Sequence, residues 1–149
     1  MERTKAGFRA LREQTGLTQE AVAEQAGVTA LTVKRWESPD NGWAPSEAAW
    51  RALDRAAAAQ AAAVDAALGA VYDAVAATGD LPRMVELPYW RDQAHYDERG
   101  RDRGDYGVAN ADSRAVVEAL RRAGVDVRLV YPGYDDAPAL DAAARETRG

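Results

Sequence analysis

A chain of 149 residues has room for one ordinary domain or two small ones, and its 47% hydrophobic and 29% charged residues mark a folding sequence rather than a disordered one. It has no cysteine, which excludes disulfides and thiolate metal sites and suits a reducing cytosol. A net charge of −5 excludes a chain that is basic throughout, the simplest kind of nucleic-acid binder.

Lys5 to Gln14 reads as a first helix with Phe8 and Leu11 on its apolar face. Thr18 follows as an N-cap hydroxyl for a helix from Gln19 to Gln25 or Ala26, and Gly27 supplies the left-handed residue that ends it tightly. Thr29 caps a third helix from Ala30 to about Glu37. Val22, Ala23, Val28, Val33 and Trp36 fall on the inward sides, with small Ala23 at the close crossing. Two short helices joined by so tight a turn spell a helix-turn-helix, with the first helix as its support.

Ser38 to Pro45 is a loop by its turn residues, and Pro45-Ser46 opens the next helix. From Glu47 to Ala77 helix-favouring alanine dominates, and Thr78-Gly79-Asp80-Leu81-Pro82 stops the run. Trp50 and Leu53 are placed to dock back on the helix-turn-helix. Ala57, Ala61, Val64, Leu68, Val71 and Val75 recur at alternating spacings of three and four, a coiled-coil-like seam that predicts dimerisation through Val64, Leu68, Val71 and Val75. Two shorter helices bending near Gln60 are the alternative.

Beyond Pro82, Arg83 to Leu87 alternates as a short strand ended by Pro88. Tyr89 to Gly104 reads as a short helix and a mobile loop, with His95, the one histidine, at the surface. Asp105 to Val108 reads as extended. Asn110 or Asp112 caps a helix with Ala115, Val116, Ala119 and Leu120 inward, ended by Gly124. Val125 to Tyr131 alternates clearly as a second strand. Asp135 to Gly149 is an acidic, alanine-rich tail with helix expected from Pro138 to Arg145. The class predicted is α+β, mainly α. It comprises a helix-turn-helix bundle at 1–58, a connecting helix at 59–80, a small α/β dimerisation unit at 81–134 and the tail at 135–149. Two strands are too few to close a core comfortably, so a second copy of the chain is the expected partner.

The segment carrying Phe8-Arg9-Ala10-Leu11-Arg12, Leu17-Thr18-Gln19-Glu20, Gly27-Val28-Thr29 and Thr32-Val33-Lys34-Arg35-Trp36-Glu37 resembles the Cro/repressor-type (XRE) helix-turn-helix family. The resemblance implies that the third helix lies in the major groove of double-stranded DNA and the second bridges the backbone. It places Gln19 at a phosphate and as a brace for the reading helix, Thr29 at the groove edge, Ala30, Leu31 and Thr32 at base edges, and Lys34 and Arg35 after them. Methyl and isobutyl groups meet thymine methyls, which leaves Arg35 as the partner for guanine. Arg12 and Glu37 match a structural pair. Residues 1–45 carry six basic and six acidic side chains, so a positive field is possible only locally and a weak monomer is implied. The order of elements also resembles small two-domain phage and bacterial regulators that include anti-CRISPR-associated autorepressors.

No nucleophile elbow, phosphate loop or metal-ligand cluster is legible, so no enzyme, cofactor or metal is expected. The first twenty residues lack a signal-peptide core, and Ala56 to Val64, broken by Gln60, reads as no membrane span; a cytoplasmic protein is expected. Two functions stand open: a dimeric repressor on an inverted repeat, its own promoter among the candidate sites, and an antitoxin whose C-terminal half neutralises a toxin protein.

Overall fold

The structure, a computed structural model, describes residues 1–134 and divides into two compact units, Met1–Ala66 and Ala67–Gly149. The helix expected from Pro138 to Arg145 lies outside the described residues. Among those described, six helices and two short strands give the mainly helical α+β class that the patterning predicts.

In the first unit, α1 (Lys5–Thr15), α2 (Gln19–Ala26) and α3 (Ala30–Glu37) pack with the opening turns of α4 (Glu47–Thr78). Each of the first three begins on a threonine. Thr4 accepts from the Gly7 amide, Thr18 from Ala21 and Thr29 from Thr32, satisfying donors that a helix start leaves free. Gly27 takes φ +69° at the turn between α2 and α3. A Cβ there would meet no atom within 4 Å, so the demand for glycine is set by backbone conformation and not by space. Phe8 is fully buried, edge-on to Trp36 at 6.2 Å and to Trp50 at 5.1 Å. Val22, Ala23, Val33 and Leu53 close the same core, while Val28 is half-buried.

The alternative of a bend near Gln60 is absent, and the long helix is continuous: α4 runs unbroken through 32 residues. Gln60 is a tie instead of an interruption. It is 5% exposed, donates to the Gln14 carbonyl at 2.9 Å and accepts from the Gln14 amide at 3.3 Å. Along the anticipated seam Val64, Leu68 and Val75 are half-buried and Ala61 is exposed. Val71 departs from the expectation of an open dimerisation stripe. It is 4% exposed in this chain alone, lining an apolar recess with Val85, Leu87 and Leu120. By length and composition α4 is also apolar enough to cross a membrane. That hydropathy comes from alanine, however, and its interior carries Asp65 and Asp73, each costing about 2.5–3.5 kcal/mol at a bilayer centre.

In the second unit, β1 (Val85–Pro88), α5 (Gln93–Arg99), α6 (Tyr106–Arg122) and β2 (Val127–Val130) follow α4. The strands pair in parallel, Val85 opposite Val127 and Pro88 opposite Val130, as a connection containing two helices permits. β1 is shifted two residues beyond the predicted Arg83 start. Pro88 joins it because a proline at a strand end of a two-stranded sheet forfeits no ladder bond. The extended segment anticipated from Asp105 is the start of α6: Asp105 accepts from the Gly107 and Val108 amides at 2.7 and 3.2 Å. Asn110 and Asp112 are therefore not caps but interior helical residues.

His95 also departs from expectation. It is 6% exposed, with rings of Trp90 and Tyr134 at 5.0 and 5.4 Å. Its Nδ1 accepts from the Arg91 amide at 3.2 Å, which assigns the proton to Nε2 and makes that atom the donor to the Pro132 carbonyl at 2.7 Å. The surrounding charges mislead because α5 buries one side, His95 and Tyr96, and exposes the rest.

Candidate nucleic-acid interface

α3 divides cleanly. Val33 and Trp36 are buried, whereas Leu31, Lys34 and Arg35, related by three and four residues, share the exposed face. Leu31 is 55% exposed, an isobutyl group presented to solvent by a helix with an ample inner face. At the N-terminal end Thr29 is exposed and its hydroxyl meets that of Thr32 at 3.0 Å. Ala30 and Thr32 are half-buried. The predicted reading residues thus gather on one surface, with Leu31, Lys34 and Arg35 its outermost members.

Gln19 makes the bracing contact that the resemblance implies. Its amide donates to Glu37 Oε2 at 2.9 Å and so braces α2 against the end of α3. Glu37 is also gripped by Arg12, through Nε to Oε1 and through Nη2 to Oε2 at 3.1 Å, and Arg12 donates in addition to the Leu17 carbonyl at 3.1 Å. The two side chains are 13% and 4% exposed. This bidentate, largely desolvated pair with Gln19 attached fixes three helices in one register.

Two residues of the site escaped the sequence reading. Trp43, in the loop after α3, is 53% exposed and lies under the Arg35 guanidinium at 4.9 Å. Lys5, in sequence one of six early basic side chains, has its ammonium among the carbonyls of Arg35, Trp36 and Trp43 and the Asn41 side chain. It satisfies acceptors at the carboxyl end of α3, where the helix dipole also favours a cation, and pins the loop that carries Trp43. A tryptophan six residues beyond the helix with a lysine on α1 was the available signal, but their union is tertiary.

The electrostatics sharpen this surface. Arg3 pairs with Glu47 and Arg9 with Glu13, both at 2.6 Å, and these hydrogen bonds hold Glu47 and Glu13 below the usual carboxylate range. Both pairs are exposed and contribute little to stability. With Arg12 and Lys5 engaged as described, Lys34 and Arg35 are the two of the six early cations without an acidic or carbonyl partner among the described residues. Neutral in sum, the first 45 residues nonetheless present two uncompensated charges on the exposed face of α3.

A capped pair of short helices crossing through Ala23, supported by α1 and presenting the outer face of the second, defines a helix-turn-helix domain of the DNA-binding kind. Residues 6–67 match the family described as a helix-turn-helix domain. No curated protein matches the chain.

Proposed function

We propose that the chain is a sequence-specific transcriptional repressor of the Cro/repressor type. It binds double-stranded DNA in the cytoplasm as a homodimer on an inverted repeat, its own promoter among its sites. The observation that carries the reading is the pair Lys34 and Arg35, uncompensated on the outer face of α3 while the neighbouring cations are engaged within the fold. Two cations per chain make a weak monomer, since affinity for DNA grows with the number of phosphates neutralised. A two-fold pair doubles the contact and matches a palindrome. The half-buried apolar Val64, Leu68 and Val75 of α4 supply a surface for such pairing.

Selection of fragments from a random DNA pool should return two inverted half-sites centred about one helical turn, roughly 34 Å, apart or a multiple of it. Enrichment of a single unrepeated site would contradict the dimeric reading, and no enrichment would contradict DNA reading altogether. Sedimentation at micromolar concentration should show twice the 16.0 kDa of one chain. Leu68→Asp should weaken association by roughly tenfold or more, because the aspartate would be buried unpaired, and DNA affinity should fall with it. A solely monomeric wild-type chain at that concentration excludes the homodimer.

A further inference from the structure

The second unit contains a recess of about 560 Å³ at the carboxyl ends of its two parallel strands. This is the edge at which open α/β sheets bind ligands, because the connections leaving the strands diverge there. Pro88 and Pro132, at or just past the two strand ends, line it together with Trp90. Each wall is tied down by a different side chain. Ser113 donates to the Pro88 carbonyl at 2.9 Å, and Asn110 both accepts from and donates to the Trp90 backbone at 2.8 Å. His95 holds the Pro132 carbonyl. The recess is therefore formed before anything enters it.

Its charges are unresolved within the fold. Asp112 on α6 lines the recess; its Oδ1 is shut off from water and without a hydrogen-bond partner, burial raises its pKa, and a group in the recess meets the carboxylate through Oδ2. Such a carboxylate gains from any cation or donor brought against it. Arg99 and Arg101 line the same recess and pair with no acid among the described residues. Asp102 does not neutralise them, being engaged by the Tyr96 hydroxyl and the Gly104 amide. Burial, then the bond to Asp102, pushes the Tyr96 hydroxyl up to about 12, so it remains a donor at neutral pH.

We propose that this recess binds a free amino acid with an apolar side chain: its ammonium group against Asp112, its carboxylate against Arg99 and Arg101, and its side chain on Trp90. An anion alone would satisfy the arginines and leave Asp112 uncompensated; a cation alone would do the reverse. A zwitterion answers both, and the proline and tryptophan walls favour an apolar body. The proposal does not depend on the DNA reading of the first unit.

The test is calorimetric titration of the full chain with each of the twenty free L-amino acids, with inorganic phosphate and a nucleoside monophosphate in parallel. One or more apolar amino acids should bind, and the amide and N-acetyl derivatives of the best should bind roughly tenfold more weakly or worse, each having lost one charge. Asp112→Asn, and Arg99→Ala with Arg101→Ala, should each weaken it by a similar factor. Circular dichroism and melting of the variants confirm that they remain folded; Asp112→Asn should melt no lower than wild type at pH 7, since it removes a buried charge. The proposal fails if no amino acid binds at concentrations up to about 10 mM. It fails equally if Asp112→Asn binds as wild type, or if phosphate competes fully and the arginines alone matter, which would make the recess an anion site.

Discussion

Arg12→Ala should lower the stability of the first unit by roughly 3 kcal/mol, the usual consequence of stranding one member of a buried ion pair. In a unit of this size that is a fall in melting temperature on the order of 12 °C or more. The pair itself need not be strongly stabilising against an apolar replacement, because two charges had to be desolvated to make it. The loss comes from what is left behind: Glu37, with its side chain 4% exposed, would keep the Gln19 amide and lose both guanidinium bonds. Glu37→Gln should accordingly cost less than Arg12→Ala, and the double variant Arg12→Met with Glu37→Leu should recover most of the loss. Thermal and denaturant melts of the wild type, these three variants and Glu37→Ala decide it. If Arg12→Ala and Glu37→Ala both melt as wild type, the pair is open to solvent in solution and the three helices are held by the Phe8 core alone.

The first unit was legible because its signals are local. A threonine before each helix, a glycine after α2 and apolar residues at helical spacing fix Gln19–Ala26 and Ala30–Glu37 without reference to distant chain. The same holds for the exposed row Leu31, Lys34 and Arg35, since a helix whose inner face is settled has a settled outer face. Long-range partners were not legible. Lys5 reaches carbonyls some thirty residues away, and Gln60 reaches Gln14 across 46 residues of sequence. Neither type nor spacing reports such a bond, so Lys5 reads only as one of six early basic side chains and Gln60 leaves a bend open as the alternative to a continuous helix. In the second unit the error ran the other way. The polar run from Tyr89 to Gly104 looks solvated, yet His95 within it, and Asp105 and Asn110 just beyond it, spend their polar atoms on backbone groups of the strand exits and of α6. Polar residues that satisfy buried backbone are indistinguishable in sequence from those that face water.

Arg35→Ala should reduce affinity for the selected operator by about 1–3 kcal/mol, roughly fivefold to over a hundredfold, and relax the preference at one base pair of each half-site. A guanidinium that meets guanine O6 and N7 with two parallel bonds carries information that a phosphate contact does not. Its geometry is prepared: the Arg35 guanidinium lies on Trp43, whose loop is anchored by Lys5, so less side-chain freedom is lost on binding. Trp43→Ala should therefore erode discrimination at that same base pair, by less than Arg35→Ala does, and Trp43→Phe should restore part of it. Gln19→Ala should weaken binding to all sequences by a similar factor, because a residue that positions the domain on the backbone reads no base. As Gln19 also supports Glu37, its effect is compared at a temperature where the variant is fully folded. Titrations against the operator and its single-base variants at one fixed salt concentration separate these outcomes, since phosphate contacts alone make affinity salt-dependent. Should Arg35→Ala keep the full base preference, the groove is read by another side chain on the exposed face of α3, and Lys34, with no partner among the described residues, is the next to be changed.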